Sequence, residues 1–225
     1  MSDKCSHFTE VLVKVFGEEF GDFNNNGFIS AEEAFNYSKY RLKDQNPTIY
    51  DGYNGELDIT ISKYELDYLS DCESVDGWKT IDHTGGIGGD LWHLSEIDCT
   101  TNSPTHCWYL GNENTMHYNN DMNNSLLSPE INLGVNPCFT FYEKSETESY
   151  DSLFLDISTD NWSSYYSYKI TPHNKWYNHK KDLWGKMIHL RFRVESDESI
   201  PFDPYTCNGL FMIDELVIFS DRTVR

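Results

Sequence analysis

Basic residues are scarce. Seventeen Lys and Arg stand against 37 Asp and Glu, so the 225-residue chain carries a formal charge of −20. A sequence-independent nucleic-acid surface needs a basic face to replace counterions, and a juxtamembrane polybasic role needs the same sign of charge, so neither fits. Long apolar runs are also missing. The longest, Leu210 to Phe219, is broken by Asp214 and Glu215, and a membrane-spanning helix needs roughly eighteen apolar residues or more. The first residues, Met-Ser-Asp-Lys-Cys-Ser-His, have no apolar segment of the kind a secretory leader carries. There is no Cys-x-x-Cys pair and no His-Glu-x-x-His, which removes the zinc ribbon and the zinc-peptidase helix. Repeats and low-complexity tracts are absent too. Aromatic residues, by contrast, make up 15% of the chain. Acidity with so many aromatics belongs to a folded protein rather than to a solvating tail.

Six cysteines are present: Cys5, Cys72, Cys99, Cys107, Cys138 and Cys207. An even number without zinc spacing suggests disulfides and an extracellular or cell-surface setting. Asn123-Asn124-Ser125 and Asn161-Trp162-Ser163 fit the N-glycosylation sequon and point the same way. Without a leader segment, the chain is then expected to be the later part of a longer precursor. Cys99 and Cys107 enclose a short Thr/Asn/Ser/Pro loop and are the expected local disulfide. Cys5 and His7 have no held base or oxyanion site nearby, so catalysis there is not expected.

Two regions differ in period. Phe8, Val11, Leu12, Val15, Phe16 and Phe20 follow one face of a helix, and Ala31, Ala34, Phe35, Ser38 and Leu42 form a second, weaker stripe. Asn46-Pro47 stops the second helix. After that the period becomes two. Leu57, Ile59 and Ile61 alternate with polar residues, as do Leu153, Leu155 and Ile157, and then Ile188, Leu190, Phe192 and Val194. Each predicts a strand with one buried face. The expected fold is mainly β: an antiparallel jelly roll or β-sandwich over residues 63–225, preceded by a helix–calcium loop–helix segment over residues 1–62.

The calcium loop is the most specific motif. Residues 22–33 satisfy D-x-[DN]-x-[DN]-G-x5-E at every specified position. Calcium takes six to eight hard oxygens. Asp22, Asn24 and Asn26 offer side-chain oxygens, Phe28 a backbone carbonyl, Ser30 a hydroxyl or a bridging water, and Glu33 a bidentate carboxylate. Gly27 permits the sharp turn. Ser30 and Glu33 also form a capping box that would start a helix without metal, and the two roles are compatible. With only two charged ligands, the expected Ca2+ site is structural rather than a cytosolic sensor.

Phe8-Thr9, the amphipathic helix, the calcium loop, Ala31-Glu32-Glu33-Ala34-Phe35-Asn36-Tyr37 and the stretch from Asn46 to Tyr53 together resemble the end of the catalytic domain in caspase-like cysteine peptidases of the legumain, clostripain and gingipain kind. That family's catalytic His and Cys segments lie earlier and have no counterpart here. The resemblance therefore implies a non-catalytic tail, with the catalytic chain as a partner. Residues 72–220 resemble MAM-like jelly-roll modules such as those of immune inhibitor A-type proteases. The residues that carry this are Glu73 with Asp76-Gly77-Trp78, then Asp90-Leu91-Trp92-His93-Leu94, Trp108 to Glu113, Leu127 to Leu133, Tyr150 to Leu153, Leu190 to Arg193 and Met212 to Val217. This second resemblance implies a two-sheet sandwich, often calcium-bound, that contacts substrate, glycans or surface proteins. The competing expectation is a stand-alone extracellular adhesion or carbohydrate-binding protein.

Three further expectations concern sites in the second region. Asp214 lies inside an apolar strand, and a buried carboxylate must be paired or metal-bound. Glu73 and Asp90 are candidate co-ligands of a second calcium, with pairing of Asp214 to Arg191 or Arg193 as the alternative. Trp162, Tyr165 and Tyr166 could stack on sugars, although strand packing is the commoner fate of such residues. Arg191 and Arg193 share one strand face, either solvated or facing an acidic partner.

Overall fold

The computed structural model describes residues 7–17, 21–42, 47–50, 52, 55–85, 92–97, 105–115, 117–198 and 210–222. The elements run α1 (His7–Gly17), β1 (Phe28–Ser30), α2 (Ala31–Arg41), β2 (Asp58–Ile61) and β3 (Tyr64–Ser70). They continue with β4 (Lys79–Asp82), β5 (Trp92–Ser95), β6 (Cys107–Leu110), β7 (Asn123–Leu127), β8 (Ile131–Asn132) and β9 (Val135–Glu146). The last are β10 (Ser152–Ser158), β11 (Tyr166–Ile170), β12 (Tyr177–Asp182), β13 (Met187–Glu195) and β14 (Leu210–Asp221). Among the described residues, two six-stranded sheets form the body. One runs β11-β10-β13-β7-β4 with β8 on β13, and the other runs β12-β9-β14-β6-β5 with β3 on β14. Every strand pairing within them is antiparallel. The fold is thus the antiparallel β-sandwich expected.

The period-two segments explain the layering. Leu153, Leu155 and Ile157 on β10, and Ile188, Leu190, Phe192 and Val194 on β13, are all buried. Phe139 and Phe141 on β9 come from the opposite sheet to meet them. Phe141 lies 4.9 Å from Phe139 and packs edge-on to Phe192 at 5.1 Å between centroids. Each such ring contributes roughly 1.5–3 kcal/mol by leaving water. The same inward face of β9 continues into Glu143 and Ser145, both buried. Apolar residues thus give way to polar ones along a single row.

In the first region, Val11 and Val15 of α1 pack on Ile29, Ala34 and Leu42. Phe20 lies outside the described residues. The Ser30 side chain accepts from the Glu33 N–H while the Glu33 carboxylate accepts from the Ser30 N–H, so the capping box starts α2 as expected. The buried face expected for Leu57, Ile59 and Ile61 is not found. β2 forms, but these residues are 48%, 53% and 70% exposed. The cause is that β2 pairs only with the three-residue β1, and no second layer packs on it among the described residues.

Two links tie the loop after α1 to the sandwich. Asn25 exchanges hydrogen bonds with the Leu66 backbone at 2.9 and 3.1 Å. Arg222, just past β14, donates to Asp22 and to the Tyr64 carbonyl.

Candidate functional site: the outer face of the β11–β4 sheet

Strand alternation sends Leu153, Leu155 and Ile157 inward, so Phe154, Asp156 and Ser158 face out. On β13 the same rule turns His189, Arg191 and Arg193 outward. Register then sets Asp156 opposite Arg191 on one side and Ser167 of β11 on the other, and places Ser125 of β7 opposite Arg193.

The result is a charged cluster embedded in the sheet face. Asp156 is fully buried and accepts from Arg191 Nε at 2.9 Å and Nη2 at 2.7 Å, and from Arg193 Nε at 2.8 Å. The two guanidinium side chains keep only 14% and 13% exposure. Arg191 and Arg193 therefore neither lie on a solvated face nor pair with Asp214; they converge on Asp156. Burial opposes ionisation of Asp156, but hydrogen bonds from Arg193, Ser167 and Arg191 outweigh it and hold its carboxyl below the usual value. His83 Nε2 lies 2.8 Å from Ser125 Oγ. Burial, then Arg191 and Arg193, push the His83 pKa down, which keeps the imidazole neutral near neutral pH.

Aromatic rings border this cluster. Asn161 and Trp162 both adopt positive φ, +54° and +67°, in the turn between β10 and β11. Ser158 Oγ accepts from the Trp162 N–H at 2.8 Å, and Asp160 accepts from the Ser164 N–H at 2.9 Å, which fixes the turn. Hydrogen bonds from Ser164 hold the Asp160 carboxyl below its usual value. The turn delivers Trp162 and Tyr165 onto Arg191, whose guanidinium carbon lies 4.8 Å and 4.6 Å from the two ring centroids. Cation–π contact of this kind fixes ring orientation. Tyr165 remains exposed, and Trp162 is partly so. Next to Trp162, His189 carries a buried Nδ1 with no hydrogen-bond partner among the described residues. Tyr166 is not part of this surface. It pairs with Ile157, so it leans to the opposite side of the sheet, edge-on to Trp184 at 5.0 Å.

In the loop of residues 22–33, the Asp22 carboxylate is fully buried. It accepts from the Asn26 N–H at 3.0 Å and the Gly27 N–H at 2.9 Å, and it pairs with Arg222. Glu33 accepts from the Phe23 and Asn24 N–H groups at 2.9 and 3.2 Å, besides capping α2. The amide oxygens of Asn24 and Asn26 accept from the Asn26 and Phe28 N–H groups. The donor set is entirely oxygen, the donor type a hard divalent ion takes, and one member, Asp22, is paired with the Arg222 guanidinium.

Of the residues expected at a second calcium, Glu73 and Asp214 are among the described residues. Glu73 lies beyond the end of β3, in the following turn, and accepts from the Thr105 and His106 N–H groups at 2.9 and 3.0 Å. Asp214 is buried at a bulge of β14, where Glu215 has φ +47° and donates its N–H to Asp214 at 2.8 Å. Neither enters a group of three potential metal-ligand side chains among the described residues. Asp90 and Cys99 lie outside the described residues. Cys107 is buried on β6 with its sulfur 3.9 Å from the Ile97 carbonyl.

No protein-family model matches the chain, and no curated protein matches it. Solved structures with a similar arrangement include a cleaved adhesin domain of Lys-gingipain from Porphyromonas gingivalis. It has 19% identity, covers 69% of this chain and 98% of the other, and gives a TM-score of 0.47. Another is a family 22 xylan-binding domain, with 14% identity, 71% and 97% coverage and a TM-score of 0.40. A third is a family 61 carbohydrate-binding module in complex with β-1,4-galactotriose, with 14% identity, 64% and 88% coverage and a TM-score of 0.41. No helix among the described residues is long and apolar enough to cross a membrane.

Proposed function

We propose that this protein is a non-catalytic binding module that takes neutral oligosaccharides on the outer face of the β11–β4 sheet. The observation that carries the reading is Trp162 and Tyr165 held on Arg191 beside Asp156, Arg193, His83 and Ser125. Sugars present apolar C–H faces for aromatic rings and hydroxyls for fixed donors and acceptors, and this surface supplies both. Asp156 and Glu195 balance the two arginines. With Asp160 in the bordering turn and Asp82 beside His83, the surface has no excess of positive charge, and the chain's −20 charge disfavours acidic polymers.

A glycan array followed by titration of the best neutral oligosaccharide tests the proposal. Trp162→Ala is expected to weaken binding by about tenfold, since one lost aromatic stack is worth about 1.4 kcal/mol. Tyr166→Ala, on the other side of the sheet, should leave affinity unchanged. An array without hits, or equal losses from both variants, removes the reading.

Ca2+ in the loop of residues 22–33 belongs to the same proposal as a structural element. Asp22, Asn24, Asn26, the Phe28 carbonyl, Ser30 and Glu33 would hold it, and it would neutralise two carboxylates beside Arg222.

A second reading keeps the chain as the later part of a caspase-like peptidase. The exposed apolar residues of β2 favour it, because they offer a surface for a catalytic chain. Co-purification from the native source is its test. A catalytic chain that leaves after Ile59→Asp supports it, and a solitary chain opposes it.

A further inference from the structure

We infer that Glu143, His173 and His179 form a binding site for a first-row divalent transition metal, with Zn2+ the fitting ion. It lies at the end of the β12–β9 pair, away from both the sugar-binding face and the calcium loop.

The sequence of β9 prepares the site. Its inward row runs Phe139, Phe141, Glu143, Ser145, so a carboxylate stands where a core residue would otherwise be. Glu143 is fully buried, and a buried carboxylate needs a cation or several donors. The Ser145 hydroxyl donates to its Oε1. Both histidines converge on the other oxygen. His173 Nδ1 lies 3.0 Å and His179 Nε2 3.2 Å from Glu143 Oε2. The three ligand atoms lie within 4.8 Å of one another. Ligands about 2.0–2.1 Å from a tetrahedral zinc are about 3.3 Å apart. The two histidine–carboxylate separations therefore need to open only by tenths of an ångström.

The rings are held edge-on to this point. His179 stacks on Phe141 at 4.8 Å with an interplanar angle of 12°, and His173 stacks on Tyr177 at 4.1 Å and 5°. Stacked faces leave the ring nitrogens in the plane where a metal binds. Backbone pairing fixes both segments. His179 lies opposite Phe141 on β12, and the Ser145 N–H donates to the His173 carbonyl at 2.8 Å. Histidine side-chain exposures of 30% and 20%, and an adjoining cleft of about 430 Å³ that both residues line, leave an entry path and an open coordination position. Two imidazoles and one carboxylate suit zinc, cobalt or nickel and are a poor set for calcium, which takes oxygen.

The test uses tag-free protein titrated with Co2+ in excess Ca2+, so that the residue 22–33 loop does not contribute. The expected result is one equivalent of bound Co2+ with visible d–d absorption, displaced by Zn2+. His173→Gln and His179→Gln should each weaken uptake at least about tenfold, the scale on which even outer-shell losses act. His173 sits in the β11–β12 connection, so its variant keeps the fold, which far-ultraviolet circular dichroism checks. Absence of saturable uptake, or uptake that neither substitution changes, overturns the inference.

Discussion

Asp156→Asn should be among the most damaging single-atom-scale changes in the sandwich. The carboxylate is fully buried and accepts from both guanidinium groups at 2.7–2.9 Å. Breaking a buried ion pair by removing one partner costs about 3–5 kcal/mol, because the remaining charge stays desolvated. Here the arginine side chains keep 14% and 13% exposure, and Arg193 retains Glu195. The lower end, about 3 kcal/mol, therefore applies. For a domain of this size each kcal/mol moves Tm by about 2–4 °C, so the expected drop is about 6–12 °C at pH 7. Differential scanning calorimetry measures it. The pH dependence supplies a second arm. Asp156 has a folded-state pKa below its unfolded value, so its stabilisation is complete above about pH 4 and is lost as pH falls through the folded value. The gap between wild type and variant must narrow in acid. His83, whose pKa is also lowered, works in the same direction from about pH 6.5 downward, and His83→Gln should remove that step. A Tm drop within about 2 °C at pH 7, or a gap that persists in acid, refutes the reasoning.

Asp151 gives the opposite case. Burial, with help from Glu148 and Asp197, raises its carboxyl pKa, so its stabilising effect is present in acid and fades as pH rises. Asp151→Asn keeps one acceptor oxygen where the carboxylate serves both the Tyr118 hydroxyl and the Asp197 N–H, so relief of the buried charge and the lost hydrogen bond offset each other and Tm at pH 7 should move by no more than about 4 °C. Gly134→Ala would bring a Cβ to 2.7 Å from Ser220 Cβ, where Ser220 is buried and bonded to Asp67. A loss of about 1–3 kcal/mol in urea unfolding is expected from overpacking, and unchanged stability would contradict the packing. Adding Ca2+ to chelator-treated protein should raise Tm, by the equivalent of about 2.7 kcal/mol at a hundredfold excess over Kd. Glu33→Gln should abolish the rise, and an EDTA melt identical to the calcium melt counts against the loop as a metal site.

Local chemistry was legible in the sequence, whereas pairing between strands was not. The Ser30–Glu33 capping box and the inward rows of β10 and β13 follow from spacing alone. Strand β12 is mostly polar on both faces and gave no period to detect, whereas β11 does alternate Tyr166, Tyr168 and Ile170 with Ser167 and Lys169. Ile59 and Ile61 had the right alternation but no covering layer among the described residues, because amphipathicity says which face seeks burial and not whether a partner arrives. Trp162 and Tyr165 were visible as an aromatic run. Their separation from Tyr166 depends on the turn at Asn161 and on which side of β11 each residue falls. Asp156 was readable as an outward residue, but its two arginines meet it only through the β10–β13 register.

The central claim is tested most directly by two-dimensional NMR of the protein titrated with a bound neutral oligosaccharide. The account predicts that the Trp162 indole N–H, the Tyr165 ring and the Arg191 and Arg193 Nε–H signals shift together and saturate with one affinity. Shifts confined to the β12–β9 sheet, with the Trp162 and Arg191 signals unmoved, would contradict it.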